Sequence, residues 1–88
     1  MTDNDLRAPI ESILMIASEP VAASDLTDVL DASIDAVEEQ LRALGAEYLG
    51  DDTHEPRGFE LREVAGGWRI YSARDYADIV GRFVVGSS

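Results

Sequence analysis

The 88-residue sequence has no cysteine, no lysine, a single histidine and three prolines. Without cysteine, disulfides and thiolate metal sites are excluded. No apolar run approaches the ~20 residues of a membrane span. No basic start followed by an apolar stretch and a small-residue cleavage site marks export. A cytosolic protein with no membrane partner is the expectation. His54 stands in a polar loop, and as a general base it would need a partner within about 3 Å. Asp51, Asp52 and Glu55 are near enough in sequence to serve, or to bind a metal through oxygen. Their spacing lacks the glycine and closing glutamate of a calcium loop, and a solvated loop histidine is the simpler reading. Gly66-Gly67 has neither the spacing of a phosphate-binding loop nor the lysine that follows one. A small-molecule site would need at least ~300 Å³, for which a core of this size leaves little room. No catalytic, cofactor-binding or metal-ligating residue is expected.

What is present suits one small domain. The 45% hydrophobic content is enough for a single core. So short a chain buries only about 60–65% of its unfolded surface, and oligomerisation or a partner chain is a common supplement at this size. The net charge of −11 is unevenly spread. Residues 1–56 carry fourteen carboxylates against two arginines, whereas residues 57–88 carry four against five.

Residues 1–7 are polar and are expected to fray. Pro9 suits the start of a first helix. Ile10, Ile13, Leu14 and Ala17 follow its apolar spacing, Met15 and Ile16 widen the stripe, and Glu19-Pro20 stops it. Ser24 is the expected cap of a second helix with Leu26, Val29 and Leu30 inward. Asp31-Ala32 turns the chain and Ser33 caps a third helix, whose seam is Ile34, Val37, Leu41, Leu44 and Tyr48. Gly45 weakens that helix and suggests an early end. After a loop over residues 50–58, two alternating segments flank Gly66-Gly67. A two-residue hairpin there pairs Ala65 with Trp68, Glu63 with Ile70 and Leu61 with Ser72. Phe59, Leu61, Trp68 and Ile70 then share the core face, with Glu63 placed awkwardly among them, reaching an edge or displaced by a bulge. Ser72 to Asp75 fits a capping box before a last helical stripe of Tyr76, Ile79, Val80 and Phe83. Residues 8–85 form the expected domain and residues 86–88 a tail or linker start.

Three helices, a two-stranded ribbon and a last helix make an α+β winged-helix order, with the second and third helices as the helix-turn-helix unit. In a DNA reader the third helix enters the major groove. Here it carries Asp35, Glu38, Glu39 and Glu47 against Arg42. Affinity for duplexes comes largely from Lys and Arg displacing counterions, so an acidic reading helix argues against direct nucleic-acid binding. A winged-helix transcriptional regulator is the alternative reading. Arg57, Arg62, Arg69 and Arg74 lie near the wing and could touch phosphates. The simpler reading is that Arg62 and Arg69 alternate with core residues and face water, with Glu60 and acids of the third helix as further partners.

The segment Ile10-Glu11-Ser12-Ile13-Leu14-Met15-Ile16-Ala17-Ser18-Glu19-Pro20-Val21 resembles the opening of the segregation and condensation protein B family. Arg57-Gly58-Phe59-Glu60-Leu61-Arg62-Glu63-Val64-Ala65-Gly66-Gly67-Trp68-Arg69-Ile70 resembles that family's wing, and Tyr76-Ala77 with Ile79-Val80 fits the stretch beyond. The resemblance implies the first of two winged-helix domains, homodimerisation chiefly through that domain, and no enzymatic activity or cofactor. It further implies binding to the kleisin subunit, segregation and condensation protein A. Through the kleisin it implies the structural-maintenance-of-chromosomes ATPase and a nucleoid-associated place in chromosome segregation.

An aromatic and an aliphatic residue flanked by arginine have the composition of an interface core. Val64, Arg69 and Tyr71 on the outer ribbon face, with Met15 on the first helix, are therefore the expected self-association surface.

Overall fold

Leu6, Ile10 and Leu14 recur at helical spacing, and all three are buried. They line a 3-10 turn, Asp3–Leu6, that runs directly into α1 (Arg7–Ile16) in a computed structural model describing residues 3–86. Of the segment 1–7 expected to fray, Asp3–Leu6 form the 3-10 turn and Arg7 opens α1. Leu6 takes a core position one turn ahead of Ile10, and Arg7 pairs with Glu47. Residues 1–2 lie outside the described residues.

The second helix, α2 (Ala23–Leu30), starts after Ala22 with no side-chain cap, so Ser24 falls inside its first turn instead of capping it. There its carbonyl accepts from the Thr27 hydroxyl at 2.6 Å. Val29, expected to face inward, is 72% exposed. A helix of eight residues offers its neighbours a narrow stripe, and Leu26 and Leu30 occupy it. Asp31 closes α2 in the left-handed region at φ 52°, a conformation Asp tolerates better than most residues.

Ser33 caps α3 (Ile34–Leu49) as expected, its Oγ accepting the Ala36 N–H at 3.1 Å. The helix does not end at Gly45. It continues because Tyr48, one turn later, is anchored in the core, with its ring edge-on to Phe59 at 4.8 Å. Tertiary packing here outweighs a local propensity cost of about 1 kcal/mol.

The ribbon pairs β1 (Phe59–Val64) with β2 (Gly67–Ser72) antiparallel, in a register that joins Leu61 to Ile70 and Glu63 to Trp68. The expected Gly66-Gly67 turn is corrected. Ala65 and Gly66, at φ 49° and 79°, occupy the two positive-φ positions of the hairpin. Gly67 is needed for a different reason, since a Cβ there would lie 2.8 Å from the Pro20 Cβ. Each residue's partner therefore moves by two, which preserves both faces of the ribbon. Glu63 remains on the core face without a bulge, at the exposed end of the strand. Val21 and Trp68 exchange backbone N–H···O bonds at 2.8 Å in each direction, stitching the α1–α2 link to the outer edge of β2.

The capping box expected at Ser72–Asp75 does not form, because Ser72 stays in β2. A 3-10 turn, Arg74–Tyr76, follows, and the Glu60 carboxylate, reaching from β1, accepts its first N–H at 3.0 Å. The turn leads into α4 (Ala77–Gly86), none of whose residues is buried. The order and the wing are those of a winged helix. Of the expected tail, residues 87–88 lie outside the described residues.

Candidate interaction surface

The last turns of α1 and α3 meet the core face of the ribbon imperfectly and leave a groove of about 230 Å³. Leu14 and Met15 come from α1, Tyr48 from α3, and Phe59 and Ile70 from the ribbon. Glu11 and Arg69 supply charges of opposite sign at its border. The Tyr48 hydroxyl donates to the Glu11 carboxylate. Burial, then that hydrogen bond, push the phenol's pKa well above its ordinary value, so it remains a donor at neutral pH. The groove is mainly apolar with one fixed polar pair.

Met15 and Arg69, expected on a common surface, both line this groove. Tyr71 adjoins it, with the Arg69 guanidinium 5.3 Å and that of Arg62 4.6 Å from its ring centroid. Tyr71, half-buried, thus sits within cation–π reach of both guanidinium groups. Val64 lies on the same outer face at the far end of the ribbon, opposite Gly67. The sequence reading missed Glu11, Tyr48 and Phe59 as groove residues. Tyr48 and Phe59 fall on inward stripes and Glu11 beside one, and nothing in the spacing shows where two inward stripes fail to close.

Among the ribbon arginines the expected pairing with Glu60 forms, and Arg74 joins it. Arg62 Nε lies 3.4 Å from Glu60 and Arg74 Nε 3.7 Å from the same carboxylate. The α3 acid that finds partners is Glu47, with Arg7 and His54. The Arg74 backbone N–H, then the Arg62 and Arg74 charges, lower the pKa of Glu60. Asp35, Glu39 and Arg42 are exposed on the would-be reading face of α3, and Glu38 is half-exposed.

His54 is solvent-exposed, as expected, yet tethered. Its Nδ1 lies 2.9 Å from Asp51 and its Nε2 3.6 Å from Glu47. Asp51 also accepts the N–H groups of Thr53 and His54 at 2.9 and 2.8 Å. Among the described residues no group of three or more His, Asp or Glu could hold a metal ion. None of the described helices is long and apolar enough to cross a membrane.

The largest apolar exposure lies on α4. Phe83 is 72% and Ile79 57% exposed, with Val84 beside them. Because this helix stands away from the body, two open shelves flank it. One, of about 370 Å³, is at its root between Leu49 and Arg74, and the other, of about 510 Å³, lies along Ala77, Gly81 and Val85. Both exceed the room expected from the core, since they are spaces beside α4 and not within the core.

The chain matches the family model for segregation and condensation complex subunit ScpB over residues 8–88. It is 32% identical over 74 residues to segregation and condensation protein B of Moorella thermoacetica, which covers 84% of this chain and 36% of that protein. In structure it is similar to ScpB from Mycobacterium tuberculosis, with a TM-score of 0.87 at 24% identity over 99% of this chain and 52% of that one. It is also similar to the ScpB N-terminal domain solved as a dimer complexed with ScpA peptide. There the TM-score is 0.79 at 18% identity, covering 91% of this chain and 95% of that one. The chain thus spans about a third of the Moorella protein and half of the Mycobacterium one.

Proposed function

Because this chain belongs to the ScpB family of segregation and condensation complex subunits, we propose that it is a non-enzymatic assembly module. It acts as an amino-terminal winged-helix domain that homodimerises and supports binding of the kleisin subunit, segregation and condensation protein A. The kleisin links it to the structural-maintenance-of-chromosomes ATPase, and its place is the cytoplasm at the nucleoid. The solved dimer of an ScpB N-terminal domain with ScpA peptide supports this reading.

One observation carries it. The apolar side chains left uncovered at the end of α1 and along α4 form surface of the kind that marks protein–protein contact, while the would-be reading helix is acidic. Met15, Val64, Arg69 and Tyr71 belong to the self-association surface in this reading, grouped around the groove. The second reading, a DNA-binding regulator, draws on the winged-helix fold and the wing arginines. Against it, Arg62 and Arg69 are engaged with Tyr71 and Glu60.

Sedimentation velocity across a concentration series, with and without a peptide from the kleisin's central region, tests the proposal. A concentration-dependent dimer that takes up the peptide is the expected result. A monomer at every concentration that ignores the peptide would sink it. Tight, sequence-selective capture of a DNA duplex at physiological ionic strength would favour the regulator.

A further inference from the structure

The chain exposes more surface than its mass calls for. A folded monomer of 9.6 kDa is expected to show about 5,100 Å², whereas this chain shows 6066 Å². Its radius of gyration, 14.2 Å, likewise exceeds the ~12 Å expected for this length. The excess, roughly 1,000 Å², is close to the ~800 Å² that each partner contributes to a standard interface. Much of it sits on α4, where a stripe of Ile79, Val80, Phe83 and Val84 faces outward.

Resting on the homodimer reading above, we propose that α4 of one copy docks in the groove of a second copy, and the reverse. The two surfaces match in kind. A dry cavity of about 150 Å³ is enough to bind benzene, so a groove of about 230 Å³ accommodates the Phe83 ring. A foreign helix laid in the groove would leave α4 uncovered, and a foreign surface laid on α4 would leave the groove open. A two-fold exchange covers both at once with a single kind of contact used twice, which is the self-complementary closure typical of dimers.

The inference separates itself from other dimers by complementation. Phe83→Asp disables α4 and leaves the groove intact, whereas Met15→Asp does the opposite. Each variant alone should associate at least about tenfold more weakly than the unsubstituted chain, as for a hot-spot side chain. Mixed, they should recover a heterodimer through the one intact α4–groove contact. Val29→Asp, at an equally exposed apolar position on α2, should associate normally. Far-UV circular dichroism confirms that all three fold, which their exposure favours. If the unsubstituted chain dimerises and the variants do too, or if mixing restores nothing, α4–groove exchange is wrong and the homodimer reading survives. If the unsubstituted chain stays monomeric, both fall, and the occupant of α4 is then the kleisin or a segment following residue 88.

Discussion

Helices α3 and α4 carry the same kind of apolar stripe and meet opposite fates. Val37, Leu41, Leu44 and Tyr48 on α3 are buried, whereas Ile79, Val80, Phe83 and Val84 on α4 are exposed. The difference lies in what stands opposite. Against α3 the chain folds back α1, α2 and β1. Among the described residues no element beyond β2 folds back onto the body: the Glu60 carboxylate holds the Arg74 N–H, and α4 leaves from that turn. Periodicity thus identifies the face that must be covered but not the molecule that covers it.

The strongest way to break this comparison is to truncate both stripes. Leu41→Ala should destabilise the chain by about 2–5 kcal/mol, the range for a fully buried leucine. Phe83→Ala should cost less than about 0.5 kcal/mol in dilute solution, where only exposed surface is changed. Urea unfolding at low micromolar concentration measures both. Comparable losses would mean that α4 packs on its own body. At high concentration Phe83→Ala should acquire a cost, because association stabilises only the native chain.

Two glycines sharpen the contrast. Gly67→Ala should lose about 1–3 kcal/mol, since its Cβ would meet the Pro20 Cβ at 2.8 Å and the Pro20 carbonyl carbon at 2.9 Å. Gly81→Ala, with nothing within 4 Å of the new Cβ, should steady α4 by up to about 1 kcal/mol. The resulting gain in helical ellipticity would be read by circular dichroism. A loss of helicity at Gly81→Ala would show that α4 is not an isolated exposed helix.

Much of the body was legible because its elements announce themselves locally. The Ser33 cap, the α3 seam from Val37 to Tyr48 and the two faces of the ribbon follow from spacing and turn chemistry, whereas Ile34, expected in that seam, is exposed in the first turn. Errors arose where a residue had two possible uses. Gly67 reads as a turn residue but serves a close approach to Pro20. Ser72 reads as a cap whose work is done by Glu60, twelve residues earlier. Leu6 reads as part of a frayed end, because one apolar residue among polar neighbours gives no periodic signal until Ile10 and Leu14 are aligned with it. Of the groove and its border, Met15, Arg69 and Tyr71 are residues that composition singles out. The groove itself is not singled out, since it is a failure of two inward faces to close and has no pattern of its own.

A smaller effect separates the charged border of this surface from its apolar floor. Tyr71→Glu places a carboxylate beside Arg62 and Arg69 without entering the groove. Dimer affinity should fall only a few-fold, within the range of peripheral interface positions. Sedimentation equilibrium reads the change. A loss as large as that of Phe83→Asp would move the centre of the interface to the outer ribbon face, with Val64.

The smallest effect belongs to the joint between α3 and the ribbon. The Thr53 backbone N–H, followed by the His54 side chain, holds the pKa of Asp51 down to about 2 from an ordinary 3.8. The folded chain therefore prefers the carboxylate. The stabilisation is complete above about 3.8 and is lost as the pH falls through about 2, in step with protonation. The Asp51 carboxyl carbon, followed by NMR between pH 5 and 1.5, should titrate with its midpoint near the lower value. The Thr53 and His54 amides should move with it, because the Asp51 carboxylate accepts both of them within its own loop, whereas the distant α4 amides should not. Asp51→Asn should abolish the step in those amides while leaving the urea midpoint at neutral pH almost unchanged, since the site is exposed. A midpoint at the ordinary value would show that the clasp is too loose to order the loop. The position of the ribbon would then rest on the Val21–Trp68 bridge, the Arg57 N–H bond to the Tyr48 carbonyl and its core face.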